Sequence, residues 1–145
     1  MGITDDNCQA IRSAFEGWEH GDTRPFFGLV SADVRWTVIG STPISGTYNG
    51  KSAFMDKAAG RLTAEFAGPL VAKIVDVRAA GDKVFLQWEG TAKTTDGRPY
   101  EQTYCWVLTM SGGEVVEALA YLDTELVSAV LSTSAQAETT ESDNR

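Results

Sequence analysis

The segment Tyr100–Asp123, YEQTYCWVLTMSGGEVVEALAYLD, determines the fold most directly. Its two runs of aromatic and β-branched residues, separated by Ser111-Gly112-Gly113, predict two β-strands joined by a turn. Side chains alternate between the two faces of a strand. One face of the first strand therefore carries Gln102, Tyr104, Trp106, Leu108 and Met110. A face this apolar indicates either a packed core or a pocket for an apolar molecule.

The composition favours one globular domain without nucleic-acid or membrane partners. The chain has 145 residues, of which 43% are hydrophobic, enough for one sizeable core. Its net charge of −8 and its scattered Lys and Arg residues argue against binding to a phosphate backbone. No apolar run approaches the ~20 residues of a membrane span. The N-terminal MGITDDNCQA lacks the basic and apolar regions of a signal peptide, so we expect a cytoplasmic protein.

The chain offers few residues for metal or cofactor chemistry. Cys8 and Cys105 have no metal-ligand spacing, so two free thiols in a reducing compartment are expected. His20, the single histidine, either interacts with carbonyl groups at a helix end or takes part in catalysis. Gly50-Lys51-Ser52 lacks the upstream glycine of a phosphate loop and indicates a helix start. The sequence predicts no metal and no cofactor.

The order of predicted elements is helix, helix, strand, helix, then four antiparallel strands. The predicted helices span about residues 5–20, 22–30, 50–66 and 123–131. The predicted strands span residues 33–39, 70–78, 83–94, 100–110 and 114–122. This order predicts an α+β fold, a curved and mainly antiparallel sheet covered by N-terminal helices, with a short C-terminal helix. Residues 1–131 form the predicted domain, and residues 132–145 are predicted to be a disordered acidic tail.

Several short motifs occur in an order that is similar to one known superfamily. They are Gly21-Asp22, Asp33-Val34-Arg35-Trp36, Gly46-Thr47-Tyr48-Asn49-Gly50-Lys51, Tyr104-Cys105-Trp106-Val107, Gly113-Glu114-Val115-Val116-Glu117 and Tyr121-Leu122-Asp123-Thr124. Over about residues 5–131, the chain resembles the SnoaL-like, ketosteroid isomerase-related branch of the NTF2-like superfamily. The resemblance implies a cone-shaped NTF2-like fold. It does not select a reaction, because the superfamily includes ketosteroid isomerases, limonene-epoxide hydrolases and polyketide cyclases.

The catalytic groups of ketosteroid isomerases are missing at the positions that the resemblance implies. Those enzymes use a carboxylate base with an oxyanion hole of a tyrosine and a protonated aspartic acid. The corresponding positions fall at Ala14 for the tyrosine, at Thr37 or Val38 for the base, and near Cys105 or Trp106 for the aspartic acid. We therefore do not expect that proton-transfer mechanism in this chain.

The last strand leaves one acid near the expected mouth of the fold. The resemblance places the final-strand carboxylate of limonene-epoxide hydrolases at about Ala120, which is apolar. Asp123 lies further along, two positions after Tyr121, and an acid in an apolar cavity has a raised pKa and exchanges a proton near neutral pH. Asp123 alternatively caps the last helix. The candidate catalytic residues are Asp123, Tyr121 and Tyr104.

Aromatic residues dominate the candidate binding surface. Trp36, Trp88 and Trp106 fall on the face assigned to the concave side of the sheet. Aromatic faces stack on flat ligands, although the same residues also form ordinary cores. The candidate substrate-binding residues are Trp18, Trp36, Val38, Phe54, Trp88, Gln102 and Trp106.

Three functions are compatible with these features. The favoured one is an isomerase, cyclase or hydratase that acts on an apolar cyclic metabolite and depends largely on positioning. The second is a binding protein that holds a hydrophobic ligand unchanged, and the third is a protein-interaction module. The resemblance also implies a homodimer through the outer sheet face, where Glu101, Thr103, Cys105 and Val107 mix polar and apolar character.

Overall fold

The computed structural model describes residues 3–132 as helices packed on a curved sheet of six strands. Helix α1 spans Ile3–Trp18, α2 spans Arg24–Phe27, α3 spans Lys51–Phe54 and α4 spans Gly60–Thr63. The strands are β1 (Val30–Val38), β2 (Gly46–Asn49), β3 (Val71–Ala80), β4 (Lys83–Lys93), β5 (Pro99–Ser111) and β6 (Glu114–Leu122). Residues 124–132 form a final helix, α5. From residue 133 onward, the predicted acidic tail lies outside the described residues.

The sheet confirms the predicted α+β architecture and adds one strand. Its strand order is β2-β1-β6-β5-β4-β3, and every neighbouring pair is antiparallel except β1 and β6, which are parallel. The predicted strands do not include the region around Gly46. It is instead a four-residue edge strand, β2, in which Tyr48 pairs with Trp36. A short and mostly exposed edge strand has too little alternation to be recognised from its sequence.

The inner face of the sheet follows the alternation of the sequence. In β4 and β5, buried and exposed residues alternate almost without interruption, and the aromatic residues Trp88, Tyr104 and Trp106 are on the buried side. Helix α1 covers this face with Ile11, Phe15 and other residues at helical spacing. Full burial of such a side chain stabilises the fold by about 1.5–3 kcal/mol.

The predicted third helix is interrupted where the sequence shows no break. Between α3 and α4, Met55–Ala59 form a π-helical turn, and the Gly60 N–H donates to the Met55 carbonyl. A Cβ atom on Gly60 would lie 2.6 Å from that carbonyl oxygen. This glycine therefore permits the turn. The helix ends at Thr63, three residues before the predicted end.

Candidate ligand-binding site

An apolar cavity of about 300 Å³ lies between the helices and the inner face of the sheet. Its walls come from every layer of the fold, including strands β1, β4, β5 and β6 and the helical segment from α3 to α4. The fully or nearly buried part of the lining consists of Trp18, Phe27, Trp36, Val38, Ile44, Phe54, Ala58, Leu62, Trp88, Tyr104, Trp106 and Ala120. These side chains form a largely aromatic chamber.

The mouth of the cavity is formed by its more exposed lining residues. The exposed ones are Gly60 and Thr63 in α4 and Gly68 and Pro69 before β3. The half-buried ones are Gly21 and Thr23 after α1, together with Met55, Ala59, Leu70 and Leu122. A Cβ atom on Gly21 would lie 3.0 Å from Pro69, so the turn after α1 directly contacts the segment before β3. The Trp18 indole N–H donates to the Leu70 carbonyl at 2.9 Å and ties the same two segments together.

The aromatic rings of the chamber have a defined arrangement. Trp36 stacks on Phe54 with ring centroids 4.1 Å apart, and Trp88 stacks on Tyr104 at 4.0 Å. Trp106 stands edge-on to Trp36 at 87° and edge-on to Trp88 at 79°. Each such pair stabilises the folded state by about 0.5–1.5 kcal/mol in addition to the effect of burying its apolar surface. The chamber is therefore a rigid surface rather than a loose collection of side chains.

Gly90 makes room for one of these stacks. A Cβ atom at this position would lie 2.9 Å from the Trp88 ring, 3.0 Å from the Tyr104 ring and 3.2 Å from Leu70. Gly90 is not among the predicted site residues, although an isolated glycine inside a strand often marks a close approach of this kind.

The hydroxyl group of Tyr104 belongs to a buried network. It lies 2.9 Å from the Tyr100 hydroxyl, which also accepts a hydrogen bond from the Gln102 amide at 3.3 Å. Burial raises the pKa of Tyr104 well above its ordinary value, and the neighbouring Tyr100 adds to this effect. Burial raises the pKa of Tyr100 as well. Both phenols are therefore neutral near neutral pH, and Tyr104 is not a base.

Asp123 caps the last helix, which is the second of its two predicted roles. Its carboxylate accepts the Leu126 N–H at 3.2 Å, and the residue is exposed and outside the cavity lining. Gln102 also serves this helix start, since its amide accepts the Asp123 N–H at 2.8 Å and donates to the Asp123 carbonyl at 3.0 Å. Gln102 is therefore a clamp between β5 and α5, and it does not line the cavity.

Tyr121 lies on the opposite face of the sheet from the cavity. Its neighbours Ala120 and Leu122 line the cavity, while Tyr121 itself is 45% exposed on the outer face. Alternation along β6 accounts for this position, which is incompatible with a catalytic role in the cavity. His20 is also exposed and outside the lining. Of the three candidate catalytic residues, the structure places only Tyr104 at the cavity.

Six of the seven predicted substrate-binding residues line the cavity, and Gln102 is the exception. Their role in binding stays a prediction. The mouth and most of the helical wall are not among the predicted site residues, because they lie in loops and in the π-helical turn. The helical spacing of Phe54, Ala58 and Leu62 was the available signal for this wall.

The cavity has no ionised lining side chain. Among the described residues that line it, none is Asp, Glu, His, Lys or Arg, and the side-chain hydroxyl groups are those of Thr23, Thr63 and Tyr104. Within residues 3–132, no three His, Cys, Asp or Glu side chains are grouped so as to hold a metal ion. No helix in the same range has the length and apolar character needed to cross a membrane. The cytoplasmic location stays a prediction.

Comparisons with known proteins identify one family and one fold. The SnoaL-like domain family model matches residues 11–118. A Jannaschia sp. CCS1 protein provisionally named a SnoaL-like polyketide cyclase has a similar structure, with a TM-score of 0.72 at 17% identity over 91% of this chain and 95% of that one. No curated protein matches the chain by sequence.

Two further solved structures resemble this chain and contain small molecules. One is a hypothetical protein with a ketosteroid isomerase-like fold from Catenulispora acidiphila DSM 44928, in complex with trimethylamine; its TM-score is 0.61 at 18% identity over 77% of this chain and 83% of that one. The other is TerC co-crystallized with polyporic acid, with a TM-score of 0.68 at 20% identity over 83% and 97% of the two chains. At these identities the similarity shows the fold alone.

Proposed function

The chain belongs to the SnoaL-like domain family, and on that basis we propose that it binds a neutral, apolar ring compound in its cavity without acid–base catalysis. The observation that carries this proposal is the lining, which is aromatic and aliphatic and has no ionised side chain among the described residues. An ion buried there without a partner would lose several kcal/mol of hydration. Apolar surface, by contrast, gains about 25 cal/mol per Å² on leaving water.

The shape of the cavity supports a flat or cyclic ligand. The volume of about 300 Å³ falls at the lower end of the range of small-molecule sites. Rigid rings in stacked and edge-on orientations offer flat contact surfaces that lose little conformational entropy when a ligand binds. The Catenulispora protein in complex with trimethylamine and TerC with polyporic acid are precedents for small-molecule binding by this fold, although not for the shape of the ligand.

The intrinsic fluorescence of the protein provides a direct test. All four tryptophans of the chain line the cavity, so every tryptophan signal reports on it. We expect 2-acetylnaphthalene, which is neutral, to quench this fluorescence in a saturable manner. We expect the similarly shaped anion 2-naphthoate to bind at least tenfold more weakly. Equal or tighter binding of the anion would contradict the proposal, and so would the absence of saturable quenching by any neutral ring compound.

The favoured sequence-based hypothesis, an isomerase, cyclase or hydratase, becomes the second candidate. Tyr104 supports it, because its neutral phenol lies at the cavity and is a hydrogen-bond donor by its chemistry. The provisional name of the Jannaschia protein gives the same hypothesis a precedent. Without an ionised lining residue, catalysis would depend on holding the substrate in a reactive shape. Chromatography of the bound compound decides between the candidates, since a binding protein returns it unchanged and an enzyme returns an isomer, a ring-closed product or a hydrate.

We further propose that the outer face of the sheet joins two copies of the chain. Phe85, Val107 and Leu119 pair in register across β4, β5 and β6 and form an apolar row on this face. Phe85 is 43% exposed, and Tyr121 on the same face is 45% exposed. Removal of this surface from water would stabilise a symmetric dimer.

The dimer is tested by measuring the mass of the protein in solution. Sedimentation equilibrium should give twice the chain mass of 15.6 kDa for the wild type and a single chain mass for Phe85→Lys. Ala64→Lys, an exposed substitution at the end of α4, is the control and should remain dimeric. A monomeric wild type at micromolar concentration would contradict this proposal.

A further inference from the structure

Two polar side chains inside the cavity already have hydrogen-bond partners. The Trp18 indole N–H donates to the Leu70 carbonyl, and the Tyr104 hydroxyl pairs with the Tyr100 hydroxyl at 2.9 Å. Backbone groups along the inner strands are paired in the sheet. A ligand hydroxyl or carbonyl group in this region would compete with these bonds or depend on the remaining capacity of the buried Tyr104 hydroxyl, which the Tyr104→Phe variant tests.

The indole N–H groups of the other three tryptophans are buried and inaccessible to a ligand in the cavity. Within the described residues, the nitrogen atoms of Trp36, Trp88 and Trp106 have no hydrogen-bond partner and no contact with solvent. The edge-on packing of Trp106 against the other two rings offers ring faces as weak acceptors. A ligand would reach these donors only if the stacked rings moved apart, which the packing of the chamber opposes.

The mouth, by contrast, carries hydroxyl groups with free capacity. Thr23 stands just before α2, and its side chain makes no capping hydrogen bond; the Asp22 carboxylate accepts the Arg24 N–H instead. The Thr63 hydroxyl donates to the Gly60 carbonyl at 3.3 Å and keeps its acceptor lone pairs. Both threonines line the cavity, Thr23 half-buried and Thr63 exposed.

This separation of polarity assigns an orientation and a chemical class to the ligand. We infer that the ligand is a neutral, amphipathic ring compound whose apolar ring system fills the chamber while a hydroxyl group stays at the mouth, donating to the Thr63 hydroxyl and accepting from the Thr23 hydroxyl. The inference deepens the proposed binding function and rests on it. Thr23 and Thr63 thereby become the residues that decide between a ring compound with a polar substituent and its plain hydrocarbon analogue.

Two probes that differ in one group measure the contribution of the ligand hydroxyl group to binding. Equilibrium dialysis measures the dissociation constants of 2-naphthol and 2-methylnaphthalene, which carry a hydroxyl and a methyl group on the same ring system. A substitution that changes the cavity as a whole affects both dissociation constants alike, so their ratio reports only on the hydroxyl group. One hydrogen bond corresponds to a change of about threefold to tenfold in that ratio.

The variants are chosen to separate the mouth from the interior. We expect Thr23→Val to reduce the preference for 2-naphthol by about threefold to tenfold. We expect Thr63→Val to reduce it as well, and Thr23→Ser, which keeps the hydroxyl, to retain it. Thr103→Val removes an exposed hydroxyl group outside the lining and is the control that should leave the preference unchanged, while Tyr104→Phe tests whether the phenol in the lining contributes.

The outcomes distinguish failure of this inference from failure of the proposed function. If both probes bind the wild type but the threonine variants keep its ratio, the orientation is wrong. A loss of preference in Tyr104→Phe alone would place the polar group in the interior and would also overturn the inference. If neither probe binds the wild type, the proposed function fails, and this inference fails with it.

Discussion

Gly60→Ala is expected to destabilise the protein, although the same change normally stabilises a helix. Gly60 has helical backbone angles of −65° and −38°, which alanine adopts without strain. Replacement of glycine by alanine in an exposed helix usually gains about 0.5–1 kcal/mol. Here the new Cβ atom would lie 2.6 Å from the Met55 carbonyl oxygen, which is closer than real Cβ atoms approach such an oxygen. The sign of the effect therefore reports on the π-helical turn.

The expected cost of this substitution follows from the clash. The carbonyl belongs to the backbone and accepts the Gly60 N–H, so it cannot move without disturbing the turn. Forced overpacking of this kind costs about 1–3 kcal/mol. We expect a net loss of that order, which would lower the melting temperature by roughly 2–4 °C per kcal/mol for a chain of this size.

Urea denaturation followed by circular dichroism measures the effect. Gly68→Ala is the matched control, because a Cβ atom at Gly68 meets nothing within 4 Å and the residue lies at the same mouth. The control should be neutral or slightly stabilising. If Gly60→Ala were as stable as the wild type or more stable, the contact with Met55 would be wrong, and with it the interrupted helix that forms one wall of the cavity.

Three further predictions concern β5 and the start of α5. Gln102→Leu should lower the free energy of unfolding by about 1–3 kcal/mol, because it removes both hydrogen bonds between the buried Gln102 amide and the partly buried backbone of Asp123. Urea titration measures this, and an unchanged midpoint would argue against these hydrogen bonds. Asp123→Ala should lower the free energy of unfolding by about 1 kcal/mol and Asp123→Asn by much less, because asparagine can still cap the helix. Neither substitution should change ligand affinity, and a loss of affinity in Asp123→Asn would show that the carboxylate takes part in binding. Tyr104 has a raised pKa in the folded state, so its contribution to stability is complete below about pH 10 and is lost as the pH rises toward the folded pKa, by up to ~1.4 kcal/mol per pH unit. In urea titrations above pH 10, Tyr104→Phe should therefore have a shallower pH dependence than the exposed control Tyr121→Phe, and equal slopes would contradict the burial of this phenol.

The strands and the aromatic face were predictable because they depend on local alternation. Trp36, Trp88 and Trp106 fall on one face simply by parity, and the structure places all three in the cavity lining. The same alternation puts Tyr121 on the outer face, since its neighbours Ala120 and Leu122 line the cavity. Asp123 is two positions further on, has the same parity and is also outside the lining, so both acid and phenol were wrongly assigned to the cavity although parity excluded them.

The role of Gln102 was not predictable from alternation alone. Its position on the inner face is as expected, and it is 2% exposed. Its amide nevertheless bonds to the backbone of Asp123, a residue 21 positions away, and only the pairing of β5 with β6 brings the two together. Polar residues on an apolar face often satisfy backbone groups in this way, because a buried amide must be hydrogen-bonded.

The mouth and the π-helical turn depend on long-range contacts. The close approach of Gly21 to Pro69 joins segments that are far apart in the chain. The turn at Met55–Ala59 inserts one residue into an otherwise regular helical pattern, and no propensity marks it. These features decide where a ligand enters and how the wall is shaped, so the binding site is less visible in the sequence than the fold.

The most direct test of ligand binding in the cavity is to reduce its volume with a larger side chain in the lining. Ala58 lines the chamber and is 1% exposed, so Ala58→Leu places additional carbon atoms where the ligand would lie. Ala64→Leu makes the same chemical change at the exposed end of α4, outside the lining. Isothermal titration with 2-acetylnaphthalene should show at least a tenfold loss of affinity for Ala58→Leu and none for Ala64→Leu. Equal affinity in the wild type and both folded variants would show that the compound binds elsewhere.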